Sequence, residues 1–262
     1  TNYATIEAVD DALDILRDFW SLSGPTSSAS SSAPITAGGI SPLAAPLFAA
    51  QGIDVTRAEL TGAVSPTDPW FLWVAFNAPH KPFHHPPSDL HSYTLPAEVD
   101  DSPEFMKAMT EAMDAEIGRL LLSLPPGELA NTVIIFVGDN GTHQSATQSP
   151  FVNDHAKGTV YEGGVNVPLM VVGPGIVPGA ECRRLVNVTD LFATILELGG
   201  VEVPVDIDST SLVPYFGNPG MNGMRDWVYT ERFYPNGLVH RWVHMRAVRE
   251  ARYKLIEKQE HG

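Results

Sequence analysis

The chain has 262 residues, 44% hydrophobic and 18% charged, which excludes a disordered composition and allows one large domain or a domain with a small appendage. Lys and Arg number 16 against 31 Asp and Glu, and a formal charge of −15 disfavours nucleic acid as a partner. No run approaches the ~20 apolar residues that span a bilayer, and the single cysteine, Cys182, excludes an internal disulfide or a cysteine-rich metal site while leaving the compartment open.

The opening TNYATIEAVDD is polar and acidic, unlike a secretory leader, and the absence of an initiating Met fits a chain that begins after processing or inside a longer protein. From there YATIEAVDDALDILRDFW predicts an amphipathic helix, because Ile6, Val9, Leu13 and Leu16 recur at three and four. Residues 21–69 are small, polar and aperiodic at first and more apolar later, the pattern of an insertion or flexible segment. Phe71 to Phe76 is a continuous apolar run of strand length, ended by the proline-rich PHKPFHHPP. DSPEFMKAMTEAMDAEIGRLLLSLPP predicts a helix capped by Ser102, with Pro103 in its first turn. Phe105, Met109, Ala112 and Leu120 lie along one side, and Glu116 is a wet interruption of that stripe.

TVIIFVG and VPLMVVG read as two further strands of the buried type, and TDLFATILELGG as a helix capped by Thr189 and ended by glycines. Buried strands separated by helices predict an α/β fold with a largely parallel central sheet flanked by helices. After Tyr215 the texture shifts to DWVYTERF, HRWVHMRAVRE and RYKLIE, which predict a small antiparallel subdomain. The expected organisation is a core over 1–220, with 21–69 as its insertion, and a C-terminal subdomain over 221–262.

Three polar loops follow the apolar runs, and polar groups at the carboxyl ends of strands face the ligand crevice of an open α/β sheet. Asp139 and Asn140 follow TVIIFVG and offer the hard oxygens that calcium or magnesium prefers, although two ligands do not complete a site. Taken alone, Asp-Asn-Gly is equally an Asx-turn with Gly141 at positive φ. Lys157, in HAKGTVYEGG, can neutralise a tetrahedral anion or be an ordinary solvated lysine. Gly163 and Gly164 permit a tight turn beside it, and Glu162 can orient Lys157 or accept backbone bonds. His80, in NAPHKPFHH, can donate a proton to a leaving oxygen, lie on the surface, or join a metal cluster with its neighbours. His143 and His155 flank the loops, and Trp70, Trp73, Tyr234 and Trp242 are candidates for a sugar or aromatic pocket. A GxSxG elbow, a GxxxxGK[ST] loop and an HExxH helix do not occur in the sequence.

In their order and number these segments resemble the sulfatase family of the alkaline-phosphatase-like superfamily. The resemblance is carried by WFLWVAFNAPHKP, by Asp139-Asn140-Gly141, by KGTVYEGGVNVPL from Lys157 to Leu169, and by VTDLFATILELGG and RAVREARYKLI. It implies a partial alkaline-phosphatase-like sandwich, with Asp139 and Asn140 as two calcium ligands, magnesium being the other candidate. It also implies Lys157 as the sulfate-contacting lysine and His80 as the proton donor at the bridging oxygen.

The activity implied is hydrolysis of a small-molecule or sugar sulfate ester through a formylglycine. Its CxPSR-type or SxPSR-type motif does not occur in this chain, which the resemblance therefore places after the nucleophile half of the family domain. The missing amino-terminal part is then the expected partner, and a periplasmic, secreted or lysosome-like compartment is consistent with the family. The remaining alternatives are a non-catalytic binding or structural module and a phosphoester- or phosphonate-cleaving relative.

Overall fold

The computed structural model of the chain describes residues 9–14, 16–17, 69–234 and 242–261. The predicted segment 21–69 lies outside the described residues except for Pro69. The chain forms two compact units, 1–125 and 126–262.

In the first unit, residues 9–14 and 16–17 are helical, with Val9, Leu13 and Leu16 buried as their spacing predicts; Ile6 lies outside the described residues. Helix α1 spans Pro103–Ser123 and buries Phe105, Ala108, Met109, Ala112, Met113, Glu116 and Leu120 on one face. Ser102 precedes it without a side-chain cap; the Ser102 N–H instead donates to Asp100 Oδ1 at 3.0 Å. Glu116 is not the wet interruption the sequence suggested. It is 4% exposed, and Arg119 Nε donates to its carboxylate at 2.8 Å. Arg119 also reaches Asp10 at 2.9 Å, tying the amino-terminal helical residues to α1. The burial of Glu116 inside the stripe is thus matched by a guanidinium partner supplied locally, one turn away.

Phe71 to Phe76 is irregular rather than a strand, with Phe71 and Trp73 exposed. A strand is defined by its hydrogen-bonded neighbour, and among the described residues this run has none. The following loop is fastened by Lys81 to Asp101 and by the His85 ring set edge-on to Phe105 at 5.1 Å. Further along, the Ser92 N–H donates to Glu111 at 2.9 Å.

The second unit opens with the short helix α2, Pro126–Ala130, and strand β1, Ile134–Val137. Strand β2, Leu169–Val172, pairs with β1 antiparallel, with Ile134 opposite Val172 and Val137 opposite Leu169. This corrects the expected parallel arrangement for these two strands. A parallel pair needs a crossover helix of a dozen or more residues. The link here holds only two 3₁₀ turns, Gln144–Ala146 and Asn153–His155, and a four-residue helix α3, Glu162–Val165. The strands are also half-buried rather than enclosed, with Met170 and Val172 exposed, because a two-stranded ribbon lacks covering layers on both faces.

Helix α4, Asp190–Leu198, starts after Thr189, whose side chain makes no cap; it ends at Gly199 and at Gly200, which has φ +70°. Its first residue, Asp190, is fully buried and accepts from the N–H groups of Asn187 at 2.7 Å and Thr210 at 2.9 Å, with Arg225 as its ion partner. Helix α5 is Val213–Gly217.

Strands β3 (Trp227–Tyr234), β4 (Trp242–Glu250) and β5 (Lys254–His261) form the predicted antiparallel sheet in the order β3-β4-β5. Alternation along β4 puts Met245 and Ala247 on the buried face, where they pack with Val160, Tyr161 and Ile256. The link between β1 and β2 is thereby seated on the C-terminal sheet. Among the described residues no helix is long and apolar enough to cross a membrane.

Candidate functional site

The β1–β2 ribbon closes with the Gly138 N–H donating to Pro168 O at 3.0 Å, so the chain from 138 to 168 is a loop with adjoining ends. Asp139 and Asn140 stand at one base of this loop, directly after β1. Two main-chain bonds fold the loop onto itself. The Gly141 N–H donates to Gly164 O at 2.9 Å, and the Lys157 N–H donates to Thr142 O at 2.9 Å. The Asp-Asn-Gly tip and the Lys157–Gly164 segment, separate motifs in the sequence, are therefore neighbours.

The glycines are required by this close approach. A Cβ on Gly141 would stand 1.9 Å from Gly163 O, one on Gly163 2.6 Å from His155 O, and one on Gly164 2.2 Å from Thr159 O. Gly141 does not have positive φ, so the Asx-turn explanation of this glycine fails and steric room replaces it. Asn140 Nδ2 donates to Asp139 Oδ2 rather than to the backbone. That pairing fixes the amide, leaving Asn140 Oδ1 and the carboxylate as adjacent hard oxygens. The donor set fits a hard divalent cation but supplies only part of the ~6–8 oxygens calcium takes. Among the described residues no three His, Cys, Asp or Glu side chains form a metal cluster.

Lys157 is half-buried, and among the described residues its ammonium has no side-chain partner. Glu162 does not orient it. Glu162 Oε1 accepts from Lys254 Nζ at 2.8 Å and faces Arg249 Nε at 3.4 Å, so it anchors the loop to β4 and β5. The sequence carried no signal for this, since the partners lie about ninety residues apart. The His143 ring caps the first 3₁₀ turn by accepting from the Ser145 N–H at 3.2 Å. His155 stacks on Tyr161 at 3.6 Å.

His80 belongs to the first unit and is exposed. Its Nδ1 lies 2.6 Å from Lys81 O. A carbonyl only accepts, so Nδ1 carries the hydrogen and Nε2 is the nitrogen that can take up or release a proton. Trp70 is half-buried and Trp73 exposed, whereas the side chains of Tyr234 and Trp242 lie outside the described residues.

Comparison with known proteins matches the sulfatase family over residues 50–201 and the C-terminal region of N-sulphoglucosamine sulphohydrolase over residues 154–261. Arylsulfatase K of Xenopus laevis is 28% identical over 162 residues, covering 56% of this chain and 29% of the relative. Arylsulfatase J of Mus musculus is 31% identical over 151 residues, covering 57% of this chain and 25% of the relative. The chain thus spans less than a third of the length of these relatives. Among solved structures, a 2-O GAG sulfatase is 23% identical with a TM-score of 0.49, covering 60% of this chain and 33% of that one. A second, solved in complex with its substrate D-glucosamine-2-N,6-O-disulfate, is 29% identical with a TM-score of 0.49, covering 61% of this chain and 34% of the other.

Proposed function

This chain belongs to the sulfatase family, and on that premise we propose that its Asp139–Thr142 and Lys157–Gly164 segments form part of the centre of a calcium-dependent sulfuric ester hydrolase. The observation that carries this reading is the backbone stitching of the two segments, which brings the stretch that carries Lys157 against the stretch that carries Asp139 and Asn140. A half-buried lysine on a segment stitched to one that carries two hard oxygen donors suits an anion and a divalent ion.

In this account Lys157 holds an anionic sulfate oxygen as a fixed point charge, and the charge that grows in the transition state is met without reorganisation. Asp139 and Asn140 are the residues that would hold the metal with their hard oxygens, and the ion would supply positive charge against the sulfate group. For His80 the family resemblance implies a proton donor to the leaving alcohol, and with its Nδ1–H committed to Lys81 O, Nε2 is the nitrogen available for that role. The sulfur-attacking group, a formylglycine in this family, is expected outside these residues, since the sequence has no CxPSR or SxPSR. The same holds for the largely parallel sheet, whose further strands would join the β1–β2 ribbon. The substrate class is a small-molecule or sugar sulfate ester.

The test is turnover of 4-nitrophenyl sulfate by the whole protein that carries this chain. Lys157→Ala and His80→Ala are each expected to lower kcat by roughly 10²–10⁴-fold. Wild-type turnover in both variants would overturn the assignment, and the chain alone is expected to turn over no aryl sulfate.

A further inference from the structure

Packing forces a glycine at 141, since a Cβ there would stand 1.9 Å from Gly163 O, so the candidate cation tip has to present an Asn-Gly dipeptide. An asparagine followed by glycine is open to self-modification, because no side chain shields the main-chain nitrogen that follows it. When that nitrogen gives up its proton and attacks Asn Cγ, a C–N bond closes a succinimide ring and the side-chain nitrogen leaves as ammonia. Water then opens the ring at either carbonyl, giving aspartate, or isoaspartate with the main chain routed through the side-chain carbon. The sum converts an amide and a water to a carboxylate and an ammonium ion, with nothing oxidised or reduced.

The sequence holds this dipeptide at Asn140–Gly141, Asn222–Gly223 and Asn236–Gly237, the last of which lies outside the described residues. The other two stand in opposite surroundings within the second unit. At the cation tip both reacting groups are engaged. The Gly141 N–H donates to Gly164 O at 2.9 Å, and Asn140 Nδ2 donates to Asp139 Oδ2. The nucleophile keeps its proton on a carbonyl, and the amide cannot swing onto it until both bonds open together.

At Asn222–Gly223 both residues are exposed, and among the described residues neither the Asn222 amide nor the Gly223 N–H has a hydrogen-bond partner. The chain on either side is fastened. Arg184 Nη2 donates to Gly220 O at 3.1 Å and the Met221 N–H to Asn218 O at 3.1 Å, while the Met224 N–H donates to Tyr215 Oη at 2.8 Å and Arg225 pairs with the buried Asp190. Residues 222 and 223 are thus a short free span between fixed points, able to turn without the second unit unfolding.

We propose that Asn222 is a site of spontaneous deamidation in the folded chain, and that the two hydrogen bonds at the cation tip withhold the same reaction from Asn140. The contact between Gly141 and Gly164 then has a second use, since the glycine that creates the liability also makes the bond that guards against it. Conversion at 222 adds a negative charge to the loop that holds Arg225 against Asp190, and the isoaspartate form lengthens the main chain between Met221 and Met224. The inference stands on main-chain geometry and is independent of the sulfate-ester reading.

The experiment ages the chain in mildly alkaline buffer made with heavy-oxygen water, once folded and once in urea, and follows each asparagine by peptide mass spectrometry. In the folded chain Asn222 is expected to gain the label roughly tenfold or more faster than Asn140, the span of rate that two closed hydrogen bonds control. In urea the two should convert at comparable rates. Asn140 converting as fast as Asn222 in the folded chain, Asn222 converting only in urea, or the same difference persisting in urea would each overturn the proposal. None of these outcomes bears on aryl sulfate turnover, where failure of the sulfate-ester reading would appear.

Discussion

The Lys157 N–H donates to the carbonyl of Thr142 at 2.9 Å, three residues beyond Asp139. This bond and the one from Gly141 to Gly164 let two loops fifteen residues apart in the chain behave as one. The distances involved leave no space for side chains, so substitutions at the glycines should separate steric from conformational roles.

Gly141→Ala would place a methyl 1.9 Å from Gly163 O, a clash with backbone that no rotamer relieves. It is expected to destabilise the second unit by about 3 kcal/mol or more. Gly118 in α1 has nothing within 4 Å of its would-be Cβ, so Gly118→Ala should instead stabilise the first unit by about 0.5–1 kcal/mol. Urea unfolding of both variants checks the opposite signs.

Glu162 joins the Lys157 loop to the C-terminal sheet through Lys254, whose side chain is 15% exposed. A double-mutant cycle with Glu162→Gln and Lys254→Met should give a coupling of about 1 kcal/mol, reduced by the partial exposure of Glu162. Proteolysis between β2 and β3 should not change in the variants, whereas amide exchange around Lys157 should accelerate. No coupling would mean that the sheet is held by the apolar contacts of Met245 and Ala247 alone.

On the other face of that sheet, Tyr229 donates its hydroxyl to Glu231 Oε2 at 2.5 Å, and His244 Nε2 lies 3.3 Å from the same oxygen. The tyrosine hydrogen bond, and then His244, holds the Glu231 carboxyl below the usual glutamate range, and the same bond raises Tyr229 above the usual tyrosine range. The stabilisation from Glu231 is therefore present above about pH 4.3 and lost as pH falls through its lower folded value. That from Tyr229 is present below about pH 10 and lost as pH rises through its higher folded value. An NMR titration should find both displacements, and Tyr229→Phe should return Glu231 most of the way to its ordinary midpoint.

Local periodicity was a sufficient guide to α1 and to the alternating β4, because 3.6-residue and two-residue repeats are set by which face is buried. Strand direction was not legible from the apolar runs of β1 and β2. It was legible from what separates them, a polar, glycine-rich link with no crossover helix, which constrains the pair to turn back. Phe71 to Phe76 shows the converse limit, since apolar composition does not supply a hydrogen-bonded neighbour.

At the site, the residue types of Asp139, Asn140 and Lys157 pointed to a hard ion and an anion, but their adjacency depends on Gly141 meeting Gly164, a tertiary contact. Glu116 and Glu162 looked solvated or local because their burial and partners are set by packing: Arg119 one turn away in the first case, Lys254 on a distant strand in the second.

The most direct test of the central claim, that the Asp139–Asn140 tip is a hard-cation site beside Lys157, is calorimetric titration of the chain with calcium chloride. The account predicts weak saturable binding, with a dissociation constant on the order of a millimolar, abolished in Asp139→Ala and strengthened in Asn140→Asp by the added charge. Binding that is absent from the unaltered chain, or unchanged in Asp139→Ala, would contradict it.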